Sequence, residues 1–122
     1  VSLENLKLNK QVETAMTDAG FTSPKEIQAK TMSRIMGGQD LIAVSPEKSG
    51  KTTALILGVL MRLKYGEEHP PRALILVPSR EKVNLLTDQF QMLGKRTGLK
   101  VLPLVSGAGI EGQREALLEG TD

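Results

Sequence analysis

Apolar positions along the chain follow two alternating rhythms. From Asn9 to Ala19, residues Val12, Ala15, Met16 and Ala19 recur at i, i+3, i+4 and i+7, which places them on one face of a helix that Gly20 stops. Ser23-Pro24-Lys25-Glu26 predicts a capping box with proline at the first helical position, opening a helix to about Ile35 or Met36 that Gly37-Gly38 ends. Leu41-Ile42-Ala43-Val44 is a continuous apolar run, short enough for a strand buried on both faces. Helical spacing returns near Lys51, with Leu55, Val59, Leu60 and Leu63 facing one way before Tyr65-Gly66. Ala73 to Val77 repeats the buried-strand signal, closed by Pro78-Ser79, and Val83, Leu86, Phe90 and Leu93 form the next helical stripe. Val101 to Val105 predicts a third strand, held to an edge because Pro103 has no ladder donor. Gly109 to Gly120 closes with a short helix carrying Ala116 and Leu117. The order βαβαβα predicts an α/β fold, a parallel sheet flanked by helices, although three strands make a thin sheet for that class.

Length and composition narrow this reading only at its margins. The 122 residues suffice for one small domain and not for two. At 39% hydrophobic and 25% charged residues, the chain has a globular rather than a disordered balance. It has no cysteine, which excludes disulfides and thiolate metal sites, and its single histidine, His69, cannot build a metal centre alone. No apolar run approaches the roughly 20 residues that span a bilayer, so no membrane association is expected. A net charge of +2 permits an anionic partner without arguing for one. Aromatic residues are 2% of the chain, too few for a base-stacking platform.

The chemistry concentrates between Ser45 and Thr52, in the string "SPEKSGKT". Gly50-Lys51-Thr52 follows the run 41–44 and opens the next helix, the strand–loop–helix context in which backbone amides and a helix N-terminus face phosphates. In that setting Lys51 would neutralise the β- and γ-phosphates and the Thr52 hydroxyl would ligate Mg²⁺, with Ser49 and Gly50 supplying backbone donors. The plainer alternative is a solvated turn capped by Ser49, with Lys51 on the surface. Two residues sit awkwardly in the phosphate reading. A left-handed backbone at Lys48 would cost on the order of 1 kcal/mol, and Glu47 would repel a triphosphate unless it faces solvent or pairs with Lys48.

Upstream, "GFTSPKEIQ" at 20–28 closely resembles the adenine-reading motif GFxxPxxIQ of the N-terminal RecA-like domain of DEAD-box RNA helicases. The likeness continues in order through "SGKT" at 49–52, "ALILVPSRE" at 73–81, "LVSGAG" at 104–109 and "GQREALLEGTD" at 112–122. It implies the N-terminal part of a RecA-like domain over residues 1–122, with the adenine-reading motif at 20–28 and the phosphate loop at 45–52. It implies that Gln28 hydrogen-bonds adenine and selects ATP over GTP, while Phe21 and Pro24 shape and pack the segment. Ser79, Arg80 and Gly107 fall where the family grips RNA sugar and phosphate; taken singly they could be a helix cap, a solvated side chain and a turn residue. Expected cofactors are ATP and Mg²⁺, and expected partners are RNA and a second RecA-like domain, in the cytoplasm or, in a eukaryote, the nucleus.

The same comparison marks several departures. Leu3 stands where the family has an adenine-stacking aromatic, Ser45-Pro46-Glu47-Lys48 where it has Ala-x-Thr-Gly, Leu85 where it has glutamine, and Ala108 where it has a second glycine. The stretches bearing the family's acidic Mg²⁺ motif are expected beyond Asp122, so hydrolysis and unwinding are expected to need more than these residues. In RecA-like sheets the strand feeding the phosphate loop pairs with strands from later in the chain, so the three runs found here are not expected to form one continuous sheet. Two readings follow: the ATP- and RNA-binding first lobe of an ATP-dependent RNA helicase, or a non-enzymatic RNA-binding or scaffold protein descended from one. A small-molecule kinase would leave "GFTSPKEIQ" and "VPSRE" unexplained.

Overall fold

A computed structural model describes residues 3–63 and 71–122; Tyr65-Gly66 and His69 lie outside the described residues. A 3₁₀ turn at Leu3–Leu6 precedes five helices: α1 (Lys10–Asp18), α2 (Glu26–Met36), α3 (Lys51–Arg62), α4 (Arg80–Leu93) and α5 (Ile110–Glu119). Helix α1 begins where the Asn9 side-chain oxygen accepts the Val12 N–H at 2.9 Å, and its predicted face, Val12, Ala15 and Met16, is buried. Helix α2 starts later than the sequence predicts. Lys25 is its N-cap, and Gln28 Oε1 accepts the Lys25 N–H at 2.9 Å, so Gln28 rather than Ser23 provides the capping contact.

Helices α2 and α3 pack closely because Gly58 has no side chain. A Cβ there would lie 2.5 Å from Ile35 Cγ2. The buried face of α3 is Ala54, Ile56, Leu57, Gly58 and Leu60, which shares only Leu60 with the predicted stripe. Leu55 is exposed, and with Val59 and Leu63 it lines an open cleft of about 630 Å³ that also borders Leu41, Ala43 and Ala73. This helix is apolar on two sides, and periodicity could not tell which side meets the other helices. The core joins Leu3, Met16, Met32, Leu57, Phe90 and Leu93, drawn from the 3₁₀ turn and four helices. Each of these side chains contributes roughly 1.5–3 kcal/mol by leaving water. Helix α5 buries no residue.

The three predicted strands do not form a sheet among the described residues. Segments 41–44, 73–77 and 101–105 carry no ladder, and the expectation that the first two are buried on both faces is overturned: Ile42 is 90% exposed, Leu74 80% and Leu76 85%. Ile75 and Val77 pack against the helical core, so one face of segment 73–77 is covered and the other is open.

Asp122 shows why two of these segments do not pair. Its N–H donates to the Lys100 carbonyl at 3.0 Å, and its carbonyl accepts from Arg72 and Ala73 at 2.8 and 3.1 Å. Its carboxylate accepts from the Arg72 guanidinium at 2.6 Å and from the Lys100 N–H at 2.9 Å. One residue's backbone therefore stands between the starts of segments 73–77 and 101–105. Neighbouring strands lie about 4.8 Å apart, so the two segments cannot bond to each other where Asp122 stands between them.

Candidate functional site

The loop from Ser45 to Gly50 joins the extended segment 41–44 to the N-terminus of α3. The Ser45 and Ser49 hydroxyls meet at 2.5 Å across its base, and Lys51 Nζ reaches back to the Ser45 carbonyl at 2.6 Å. Lys48 adopts the left-handed conformation (φ 60°), the strained possibility that its sequence position raises. Gly50 is also left-handed (φ 96°), and a Cβ on it would lie 2.7 Å from Gln28 Nε2 and 3.0 Å from Lys25 Cδ. Glycine is needed there on both counts. Helix α3 has Gly50 as its N-cap and no side-chain cap, so Ser49 does not serve as one. The first-turn amides are thus left for an anion, and the helix dipole adds positive potential at the same point. Thr52 lies half-buried in that turn, with its hydroxyl in no hydrogen bond among the described residues. Glu47 is exposed and forms no ion pair with Lys48, leaving its carboxylate to solvent.

Gln28 is 1% exposed, and its amide is bonded at both ends. Oε1 takes the Lys25 N–H, and Nε2 donates to the Gly50 carbonyl at 3.3 Å. Lys25 Nζ in turn donates to the Lys48 carbonyl at 3.0 Å. The segment 20–28 and the loop 45–52 are therefore in direct contact, although about twenty residues separate them. Phe21 packs on the core, while Leu3 is buried within it rather than standing free beside the loop. Among the described residues no group of three or more His, Asp or Glu side chains could hold a metal. A cation at the loop would take Thr52 and the phosphates themselves as ligands.

A second cluster forms at the start of α4. Ser79 caps that helix, its hydroxyl accepting the Lys82 N–H at 3.2 Å. Arg80 Nη2 donates to the Ser106 carbonyl at 2.5 Å and lies 3.2 Å from where a Gly107 Cβ would stand. Ser79, Arg80 and Gly107 are thus brought together on an exposed surface. Leu85 is exposed farther along α4.

One member of this cluster escaped the sequence reading. Gln113 Oε1 accepts the Val105 N–H at 2.9 Å, and Nε2 donates to the carbonyls of Val105 and Ala108 at 3.1 and 3.3 Å. It fixes the 105–109 loop from the first turn of α5. The only signal in the sequence was a glutamine one helical turn past a glycine-rich loop, and such a residue is usually a solvated one.

A loop that ends at an uncapped helix, with a lysine and a free threonine hydroxyl in the first turn, defines the phosphate-loop class of nucleotide proteins. Comparison with known proteins makes that class specific. The pattern described as DEAD/DEAH box helicase matches residues 25–122, and the chain belongs to that family. It is 34% identical over 114 residues to the DEAD-box ATP-dependent RNA helicase RhpA of Helicobacter pylori, covering 93% of this chain and 23% of that one. It is 32% identical over 124 residues to the ATP-dependent RNA helicase SrmB of Escherichia coli, covering 99% of this chain and 28% of that one.

Among solved structures, the RNA helicase Prp28 from Chaetomium thermophilum bound to ADP superposes with a TM-score of 0.83 at 30% identity, covering 98% of this chain and 30% of that one. A DEAD box protein from Methanococcus jannaschii gives a TM-score of 0.87 at 25% identity, covering 95% and 32%. The chain thus spans about a quarter of the length of the curated relatives named. The backbone is that of RecA-like helicase domains, though the described residues hold no sheet. No helix among them is long and apolar enough to cross a membrane.

Proposed function

We propose that residues 1–122 form the ATP- and RNA-binding part of the first RecA-like lobe of an ATP-dependent RNA helicase. The observation that carries this reading is the contact between Gln28 and Gly50, which joins the base-reading segment to the phosphate loop. The uncapped N-terminus of α3 supplies amides to the phosphates, Lys51 leaves the Ser45 carbonyl for them, and the Thr52 hydroxyl is available to Mg²⁺. ATP would supply the cleavable phosphoanhydride. To discriminate adenine, Gln28 exchanges its bonds to the Lys25 N–H and Gly50 carbonyl for the adenine edge, an exchange that a guanine edge would leave unpaired. Ser79, Arg80 and Gly107 grip RNA through sugar and phosphate, which carries little base preference. Hydrolysis and unwinding in the whole protein involve a second RecA-like domain and acidic metal ligands that these residues do not supply.

The test is equilibrium binding of ADP and GDP to the full-length protein with Mg²⁺, beside Gln28→Ala and Lys51→Ala. Adenine-selective binding that each substitution weakens by about tenfold or more, equivalent to 1.4 kcal/mol, is expected. Lys48 at φ 60° favours a second reading, an RNA-binding protein whose loop has decayed. That reading requires RNA binding with no response to adenine nucleotide.

A further inference from the structure

The phosphate loop holds a non-glycine residue, Lys48, in the left-handed region, with φ at 60°. An L-residue leaves that region readily unless something outside the loop holds its peptide in place. One contact from another element does this. Lys25 Nζ donates to the carbonyl of Lys48 itself at 3.0 Å, across 23 residues of sequence. The carbonyl's direction is set by the dihedral angles at Lys48, so a turn of that peptide to a relaxed conformation would carry the oxygen away from the ammonium.

The rest of the Lys25 side chain is also placed. Its Cδ and Cβ lie 3.0 and 3.3 Å from the position a Gly50 Cβ would occupy, so the aliphatic stem runs flat over the glycine that caps α3. Its own backbone is held, the N–H bonding Gln28 Oε1 at 2.9 Å, while Gln28 Nε2 bonds the Gly50 carbonyl at 3.3 Å. Main chain and side chain of one residue thus belong to a closed circuit with the loop. Lys51 secures the Ser45 end and Lys25 the Lys48 end. The two cations thus bond different carbonyls of the same loop. Lys51 belongs to the first turn of α3, and Lys25 is the N-cap of α2.

We propose that Lys25 is a positioning residue for nucleotide binding, a strap that keeps Lys48 left-handed and the loop open where a glycine would need no such help. The inference rests on the nucleotide reading of the loop, and it makes the role of Lys25 conditional on what occupies position 48. A lysine that contacted phosphate directly, or merely supported the fold, would show no such condition.

The experiment is a double-mutant cycle between Lys25→Met and Lys48→Gly in the full-length protein, read by ADP affinity and by the melting temperature without nucleotide. Lys25→Met alone should weaken ADP binding about five- to tenfold and lower the melting temperature. In the Lys48→Gly background the same change should alter affinity by less than about twofold, and Lys25→Arg should retain most of the binding because its guanidinium also donates to a carbonyl. Equal weakening in both backgrounds would overturn the proposal in favour of a direct charge contact. Coupling in the melting temperature with no ADP binding by the unmodified protein would instead overturn the nucleotide reading and leave the strap as a structural contact only. Absence of coupling in both readouts rejects the strap itself.

Discussion

Gly50 shows how tightly one residue can be specified by its neighbours. It is left-handed, it caps α3, and Gln28 and Lys25 lie where its side chain would go. Gly50→Ala should therefore lower the unfolding free energy by about 1–2 kcal/mol and weaken ADP binding with it, as denaturation and calorimetry would show. The strain at Lys48 was legible in the sequence, since a phosphate loop normally carries glycine there. The Gln28–Gly50 and Lys25–Lys48 contacts were not, because residues over twenty positions apart show no shared pattern in a single sequence.

Asp122 carries a second prediction at this scale. Burial pushes its carboxyl up, but the Lys100 amide and the Arg72 guanidinium outweigh that and hold it below its ordinary value. The stability it contributes is present above the unfolded carboxyl value of about 4 and is lost as pH falls through the lower folded one. Asp122→Asn should cost about 1–2 kcal/mol at neutral pH and nothing once the pH lies below the folded value, so the two melting curves should converge in acid. Asp18 and Glu26 are also lowered, by Arg96 with Lys95 and by Lys30, but those pairs are exposed and add little.

Among the elements, the helices were legible and the strands were not. A helix bonds to itself, so apolar spacing and caps near its own ends suffice to place it; α1, α2 and α4 have the predicted faces or ends within about two residues. A strand needs a partner, and runs 41–44, 73–77 and 101–105 hold the right residues without forming a ladder. The α3 stripe was right at Leu60 and wrong at Leu55, because a helix with apolar residues on two sides gives no sign of which side is covered. Gly58 marks the covered one, and Gly58→Val should cost about 1–3 kcal/mol by forcing α2 from α3. In the Arg80 cluster, Gln113→Ala should release the 105–109 loop and, if the proposed RNA grip holds, weaken RNA binding about threefold to tenfold. ADP binding should stay unchanged, and a filter-binding titration beside a nucleotide titration separates the two.

At the scale of the molecule, helices α1 to α4 make most of the core, and segment 73–77 lies against it with one face open. The two candidate sites follow from that arrangement, since the loop and the Arg80 cluster each sit where an extended segment turns into a helix. Family membership was legible from short motifs in the right order, which are spaced by the elements between them. Asp122 has a further consequence for which pairings this state permits. Segments 73–77 and 101–105 are apolar enough to zip together directly, in a register that side-chain patterning would barely police. By bonding to Arg72, Ala73 and Lys100 at once, Asp122 sets the gauge between their starts, so that a direct pairing there would have to break those bonds first.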